Sequence, residues 1–229
     1  MQVDSIKGLL DKVGFGWIIS STEELARISL SDLRQIPLWG DFDSGFALGE
    51  QGRSERANRK KTRLGHLLHR FKYEEDREAG VILADLASAF ITSRLTLKSA
   101  DVMVFIRPSF KSRSFDPVSF LAERIEERTN IPWERGVFAR ARLTKPQKSI
   151  HNKEFKSLNV LNSFGLSRPL KLNGKRILLV DDVFDSGATL DQITAILREA
   201  GAAKTYALVL ARTRGFGSVG SFDQQASLR

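Results

Sequence analysis

The sequence predicts an α/β fold: a mostly parallel central sheet flanked by helices. Three observations predict it. Strand-like and helix-like segments alternate from residue 101 to residue 210, the pattern of a sheet built by crossover connections. Two of the strand-like segments, Asp101–Ile106 and Ile177–Val180, are nearly unbroken apolar runs, as expected for strands buried on both faces. The second run passes straight into two acids, a small-residue loop and an amphipathic helix, in the order Val180-Asp181-Asp182-Val183-Phe184-Asp185-Ser186-Gly187-Ala188-Thr189. The carboxyl ends of such strands are where α/β sheets bind ligands.

At 229 residues and 41% hydrophobic, the chain can build a sizeable core, as one domain with an elaboration or as two small ones. The expected division is an N-terminal cap over 1–60, a main domain over 61–212 and a flexible tail over 213–229. No apolar run approaches the ~20 residues of a membrane span. Met1–Leu10 carries Asp4 and no signal-peptide pattern, so no membrane partner is expected and the cytoplasm is the expected compartment. There is no cysteine, hence no disulfide and no thiolate metal site. A net charge of +9 suits an anionic partner, and a polyphosphate and a nucleic acid both qualify.

Taken in order, residues 1 to about 50 are the least regular. Val3–Val13 reads as a short helix, and Ser21 with Glu24 has the spacing of a capping box for a helix running to about Gln35. Phe42–Leu48 reads as a strand interrupted by Gly45, and Trp17 and Trp39 are expected in local cores. Residues 53–63 hold six cations and one acid, which suits either a phosphate- or nucleic-acid-facing patch or a solvated linker. Leu64–Lys72 is a predicted helix with Leu64, Leu67, Leu68 and Phe71 on one face. A second is predicted over Glu78–Leu97, and a third over Pro117–Thr129 with Val118, Leu121 and Ile125 inward. Between them, the Asp101–Ile106 strand ends in a cationic loop from Arg107 to Asp116, read as either an anion site or a connection. Glu134–Arg142 and Tyr206–Leu210 are the remaining predicted strands. The polar, basic segment 143–158 reads as a mobile loop that closes over an anionic substrate, or as a plain surface loop.

The chemistry concentrates after Val180. The loop and first helical turn offer backbone N–H groups with no partner inside the helix, and the macrodipole adds partial positive charge. That is a phosphate cradle. Gly187 permits positive φ, and Ser186 and Thr189 add hydroxyl donors. Asp181 and Asp182 would repel a phosphate, so they must serve something beside it: sugar hydroxyls or hydrated Mg²⁺. A phosphate and a diol side by side describe a ribose 5-phosphate. No Gly-x-x-x-x-Gly-Lys-Ser/Thr run occurs, which leaves an NTPase reading without its main support.

Val180–Thr189 resembles, at every position, the phosphoribosyl pyrophosphate (PRPP) motif of type I phosphoribosyltransferases: hydrophobic residues, two acids, then Asp/Thr-Ser/Thr-Gly-x-Thr. From 64 to 212 the chain is similar to the ComF-type branch, associated in bacteria with DNA uptake and competence. His69-Arg70-Phe71-Lys72-Tyr73 resembles its h-x-h-Lys-Tyr signature (h, hydrophobic) with His69 as a departure. Arg113-Ser114-Phe115-Asp116-Pro117 stands where the family has Arg-Gly-Phe-Asn-Gln, and Thr144-Lys145-Pro146-Gln147 resembles its mobile loop. The family's Cys-rich zinc segment has no counterpart in these residues.

The resemblance implies a type I phosphoribosyltransferase-like fold with a small N-terminal hood, PRPP as ligand, Mg²⁺ as cofactor and a homodimer. It implies that Asp185, Ser186, Gly187, Ala188 and Thr189 hold the 5-phosphate. Asp181 and Asp182 would bind the ribose hydroxyls and the Mg²⁺, directly or through water. Arg107, Pro108 and Ser109 would take pyrophosphate, and Asp185 would act as general base. The function implied is transfer of ribose 5-phosphate to a nitrogenous acceptor. The alternative is a non-catalytic PRPP- or nucleotide-binding module that works in DNA uptake or processing, with DNA or a DNA-processing protein, or as a regulator.

Overall fold

In the computed structural model, the described residues are 35–53, 60–106, 115–140, 164–167 and 172–213. The expected helix at Val3–Val13, the capping box at Ser21, Trp17, the loop Arg107–Ser109, the segment 143–158 and the tail beyond Thr213 lie outside them.

The elements are β1 (Ile36–Leu38), β2 (Ser44–Glu50), β3 (Gly52–Arg53), β4 (Lys60–Lys61), α1 (Arg63–Tyr73), α2 (Arg77–Ser93), α3 (Leu95–Lys98), β5 (Val102–Phe105), α4 (Pro117–Thr129), β6 (Phe138–Arg140), β7 (Phe164–Leu166), β8 (Arg176–Phe184), α5 (Ala188–Glu199) and β9 (Lys204–Arg212). The main sheet has the order β1-β2-β9-β8-β5. Three of its four pairings run parallel, and the fourth joins β1 to β2 antiparallel at one edge. The mostly parallel α/β sheet of the prediction is therefore the observed architecture.

Alternation along the strands divides the core in two. Leu178 and Val180 of β8, Met103 and Phe105 of β5, and Leu208 and Leu210 of β9 face one side, covered by α1, α2 and α4. Ile177, Leu179, Val104, Ala207 and Val209 face the other, covered by Leu190, Ile193 and Leu197 of α5. Residues on both faces are almost fully buried, which is why these strands read as continuous apolar runs.

Strands β1 and β2 come from the stretch assigned to the N-terminal cap, yet β2 pairs with β9 from Ser44↔Tyr206 to Glu50↔Arg212. Residues 36–50 are thus integral to the main sheet. Trp39 is not core: it is 85% exposed, because it sits in the β1–β2 turn beside the inward-facing Leu38. The helix expected over Glu78–Leu97 divides at Arg94, whose extended backbone separates α2 from α3. Of the strand expected at Glu134–Arg142, residues 134–137 are not strand, 141–142 lie outside the described residues, and β6 pairs antiparallel with β7 in a separate two-stranded sheet. The segment joining those two strands contains residues 143–158.

Candidate functional site

Strand β8 runs four residues further than its apolar stretch. Asp181↔Val209, Val183↔Ala211 and Phe184↔Arg212 continue the ladder with β9. On the other side, among the described residues, β5 pairs as far as Phe105↔Val180, and the Ile106 N–H donates to the Val180 carbonyl at 3.0 Å. The acids follow directly in β8. Asp181 and Asp182 are still in strand geometry and half-buried.

The two acids differ in their surroundings. The Asp182 N–H donates to Asp181 Oδ1 at 2.8 Å. Burial, reinforced by the neighbouring Asp182 charge, pushes the Asp181 carboxyl up to about 7. Asp182 meets Lys72 of α1, with Nζ 2.6 Å from Oδ2. That lysine is 110 positions away in sequence. It arrives because α1 buries Leu64, Leu67, Leu68 and Phe71 against the sheet and is capped by Thr62, whose side chain accepts from Gly65 N–H. Two adjacent oxygen-donor side chains, one with its carboxyl raised by burial and by its neighbour's charge, fit a hard divalent cation, which would relieve that repulsion.

The loop that follows turns sharply. Gly187 has φ +83°, the left-handed region that favours glycine, and a Cβ there would lie 3.0 Å from the Phe184 ring. It is the N-cap of α5, and it differs from the other long helices in one respect. Thr62 caps α1, Asp76 caps α2 and Asp116 caps α4, each with a side-chain oxygen on first-turn amides. The start of α5 has no side-chain cap. Its first-turn amides are left for an external acceptor, with Ser186 exposed and Thr189 half-exposed beside them. Asp185 is exposed and accepts from Thr213 Oγ1 at 2.5 Å, while the Thr213 N–H donates to the Phe184 carbonyl at 2.8 Å. Asp191, in the first turn of α5, accepts at 2.8 Å from the Asp41 N–H, and burial raises its carboxyl.

The structure thus gathers Asp181, Asp182, Asp185, Ser186, Gly187, Ala188 and Thr189 at one end of the sheet. Arg107, Pro108 and Ser109 lie outside the described residues; β5 leads the chain to Ile106, beside Val180. Asp116 and Pro117, where the ComF pattern has Asn and Gln, begin α4: Asp116 accepts from the Val118 and Ser119 amides and Pro117 takes the first helical position. The sequence reasoning did not connect Lys72 to Asp182 or Thr213 to Asp185. The h-x-h-Lys-Tyr signature marked Lys72, but no spacing rule joins residue 72 to 182, and Thr213 read as the start of a tail.

A model of the phosphoribosyl transferase domain matches residues 110–217. The chain is 26% identical over 157 residues to DNA utilization protein YhgH of Escherichia coli strain K12, covering 66% of this chain and 67% of that protein. It is 27% identical over 157 residues to Competence protein F of Haemophilus influenzae, covering 65% and 68%. Among solved structures it is similar to an allosteric regulatory enzyme of purine biosynthesis at 23% identity and TM-score 0.38, over 57% of this chain and 26% of that one. It is also similar to a Pyrococcus horikoshii purine phosphoribosyltransferase at 20% identity and TM-score 0.37, over 58% and 84%. Those scores are too low to bear on the assignment. No helix among the described residues is long and apolar enough to cross a membrane.

Proposed function

We propose that the chain is a ComF-like type I phosphoribosyltransferase that binds PRPP with Mg²⁺ and transfers ribose 5-phosphate to a nitrogenous acceptor, releasing pyrophosphate. The observation that carries this reading is the uncapped start of α5 beside the acid pair: anion-seeking amides next to carboxylates, on one turn of chain. The 5-phosphate would take the amides of residues 186–189 and the hydroxyls of Ser186 and Thr189. Asp181 and Asp182 would take the ribose hydroxyls and hold the Mg²⁺. When bound, that ion would supply positive charge to the departing pyrophosphate. Arg107, Pro108 and Ser109 would receive the same group, and Asp185, exposed and oriented by Thr213, would accept the acceptor's proton.

The ligand-binding region would be 61–212 together with the β1–β2 edge, in a cytoplasmic homodimer. The names of the two bacterial relatives support a role linked to DNA use or uptake. A second reading, a non-catalytic PRPP- or nucleotide-binding module acting with DNA or a DNA-processing protein, draws support from Asp116 and Pro117. Those residues serve to start a helix where the family pattern has Asn and Gln.

Calorimetry tests both, with PRPP and Mg²⁺ and with a nucleotide 5′-phosphate. Native protein should bind, and Asp181→Asn/Asp182→Asn should lose at least about tenfold in affinity, the size expected for lost charge-assisted contacts. No heat at millimolar PRPP would reject the transferase, and no heat with a nucleotide 5′-phosphate as well would reject the module. Pyrophosphate release in the presence of candidate bases separates them: release supports the transferase, and binding without release supports the module.

A further inference from the structure

We infer that Lys72 is the counter-cation of Asp182 in the ligand-free protein and passes to the ligand's phosphoryl oxygens when a metal-bound ligand takes the acids. The inference rests on the proposed PRPP-Mg²⁺ reading and deepens it. Lys72 lies outside the residues matched by the phosphoribosyl transferase domain model, so the site is completed by a helix that precedes the matched domain.

Three observations place Lys72 there for binding as well as packing. Its Nζ is 2.6 Å from Asp182 Oδ2, with the two side chains 22% and 26% exposed, so the pair is partly shielded from water. The helix that bears it is fixed at both ends. Thr62 Oγ1 donates to the Glu50 carbonyl, and Gly65 lies so close to the Gln51 backbone that a Cβ would overlap the Gln51 carbonyl oxygen. At the other end Arg70 pairs with Asp76, the cap of α2, and Phe71 packs on Phe115 and Phe120. The lysine's Nζ also lies 6.0 Å from the centre of the Tyr73 ring, at the end of a four-carbon stem with several rotatable bonds.

A lysine and a divalent cation at one carboxylate repel each other, so occupancy by one disfavours the other. Displaced from Asp182 by the ligand's metal, the ammonium stays within its stem's reach of the strand end, where the ligand brings several phosphoryl oxygens. A lysine ammonium binds these as a compact point charge. Lys72 is therefore a positioning residue in the empty protein and a ligand contact in the loaded one.

Lys72→Met tests this, with Lys72→Gln to repeat the measurements should the first variant fail to fold. The probes are Mn²⁺ alone, read by electron paramagnetic resonance, PRPP with Mg²⁺, and ribose 5-phosphate without metal, the last two by calorimetry. With the competing cation gone, Mn²⁺ alone should bind about tenfold more tightly, whereas PRPP-Mg²⁺ should bind about tenfold more weakly. Ribose 5-phosphate, which has no pyrophosphate, should stay within about twofold. Mn²⁺ affinity that is unchanged, weaker or absent in both forms overturns the counter-cation role. Equal weakening of PRPP and ribose 5-phosphate overturns the transfer and leaves Lys72 as a prop for Asp182. If neither protein binds PRPP, the proposed function fails and the transfer with it, while the Mn²⁺ result still decides the resting contact.

Discussion

At the amino end of β8, Arg176 grips Asp101 of the neighbouring chain segment with Nη2 at 2.6 Å and Nε at 3.1 Å, and its backbone N–H adds a third bond at 2.8 Å. Those bonds hold the Asp101 carboxyl down at about 2. At the carboxyl end of the same strand, Asp181 is half-buried beside a second acid and its carboxyl is pushed up to about 7. The glycines differ in the same sense. Gly174, before the strand, has φ +72° and open space around it, whereas Gly187, after it, has φ +83° and the Phe184 ring against the place of a Cβ. One end satisfies its charges within the fold. The other leaves a carboxyl crowded and a helix start uncapped, which costs stability and makes sense if a ligand supplies the missing partners.

The sharpest way to break that comparison is to alter the two glycines. Gly187→Ala should lower stability by about 1–3 kcal/mol, since it adds the ring contact to the left-handed backbone cost. It should also weaken PRPP binding more than tenfold by distorting the amide cradle, an order set by lost charge-assisted bonds. Gly174→Ala should cost about 1–2 kcal/mol for the backbone alone and leave PRPP affinity unchanged. Urea denaturation and calorimetry on the pair measure both effects; equal effects on binding would erase the distinction between the two ends.

Next in size is Asp181→Asn. Because the folded-state value of Asp181 lies above the ordinary carboxylate value, the folded protein holds a proton that the unfolded chain has released. Stability from this group therefore falls as pH rises from about 4 to about 7. The amide should remove that slope and raise stability at pH 8 by about 1–2 kcal/mol, allowing for partial exposure, even as it weakens ligand binding. Denaturation across pH checks the sign: a variant less stable than native at pH 8 would mean the acid is not strained.

The smallest effect should come from Asp101→Asn. Here the folded-state value is depressed, so the contribution is present above about pH 4 and lost as pH falls toward about 2. The variant should lose that acid-side slope and melt slightly below native near neutrality, converging with it toward pH 2, a small difference because the pair is exposed. PRPP affinity should not move.

How far all this was legible in the sequence depends on whether the determining contacts are local. A helix from Pro117 to about Thr129 was predicted from its apolar spacing and is found over Pro117–Thr129, where Asp116 caps it and Pro117 takes its first turn. The apolar part of β8 was equally plain. Its extension through Asp181 to Phe184 was not, because β9, not the residues' own polarity, holds them in the strand. The strand at β2 was expected with a break at Gly45; instead Gly45 makes room for the Phe42 ring, a tertiary reason that no propensity encodes. In the site, the loop from Asp185 to Thr189 was legible because its residues act through their own backbone. Lys72 and Thr213 act across the fold, on partners that only the sheet and its helices bring near.

The central claim is that the turn after β8 grips a sugar phosphate. Amide chemical shifts in ¹⁵N-labelled protein titrated with ribose 5-phosphate test it most directly. The largest and saturable changes should fall on the amides of Ser186, Gly187, Ala188 and Thr189, with those of Gly174 and Arg176 unmoved. Saturable binding that shifts other amides and leaves those four in place would contradict the account.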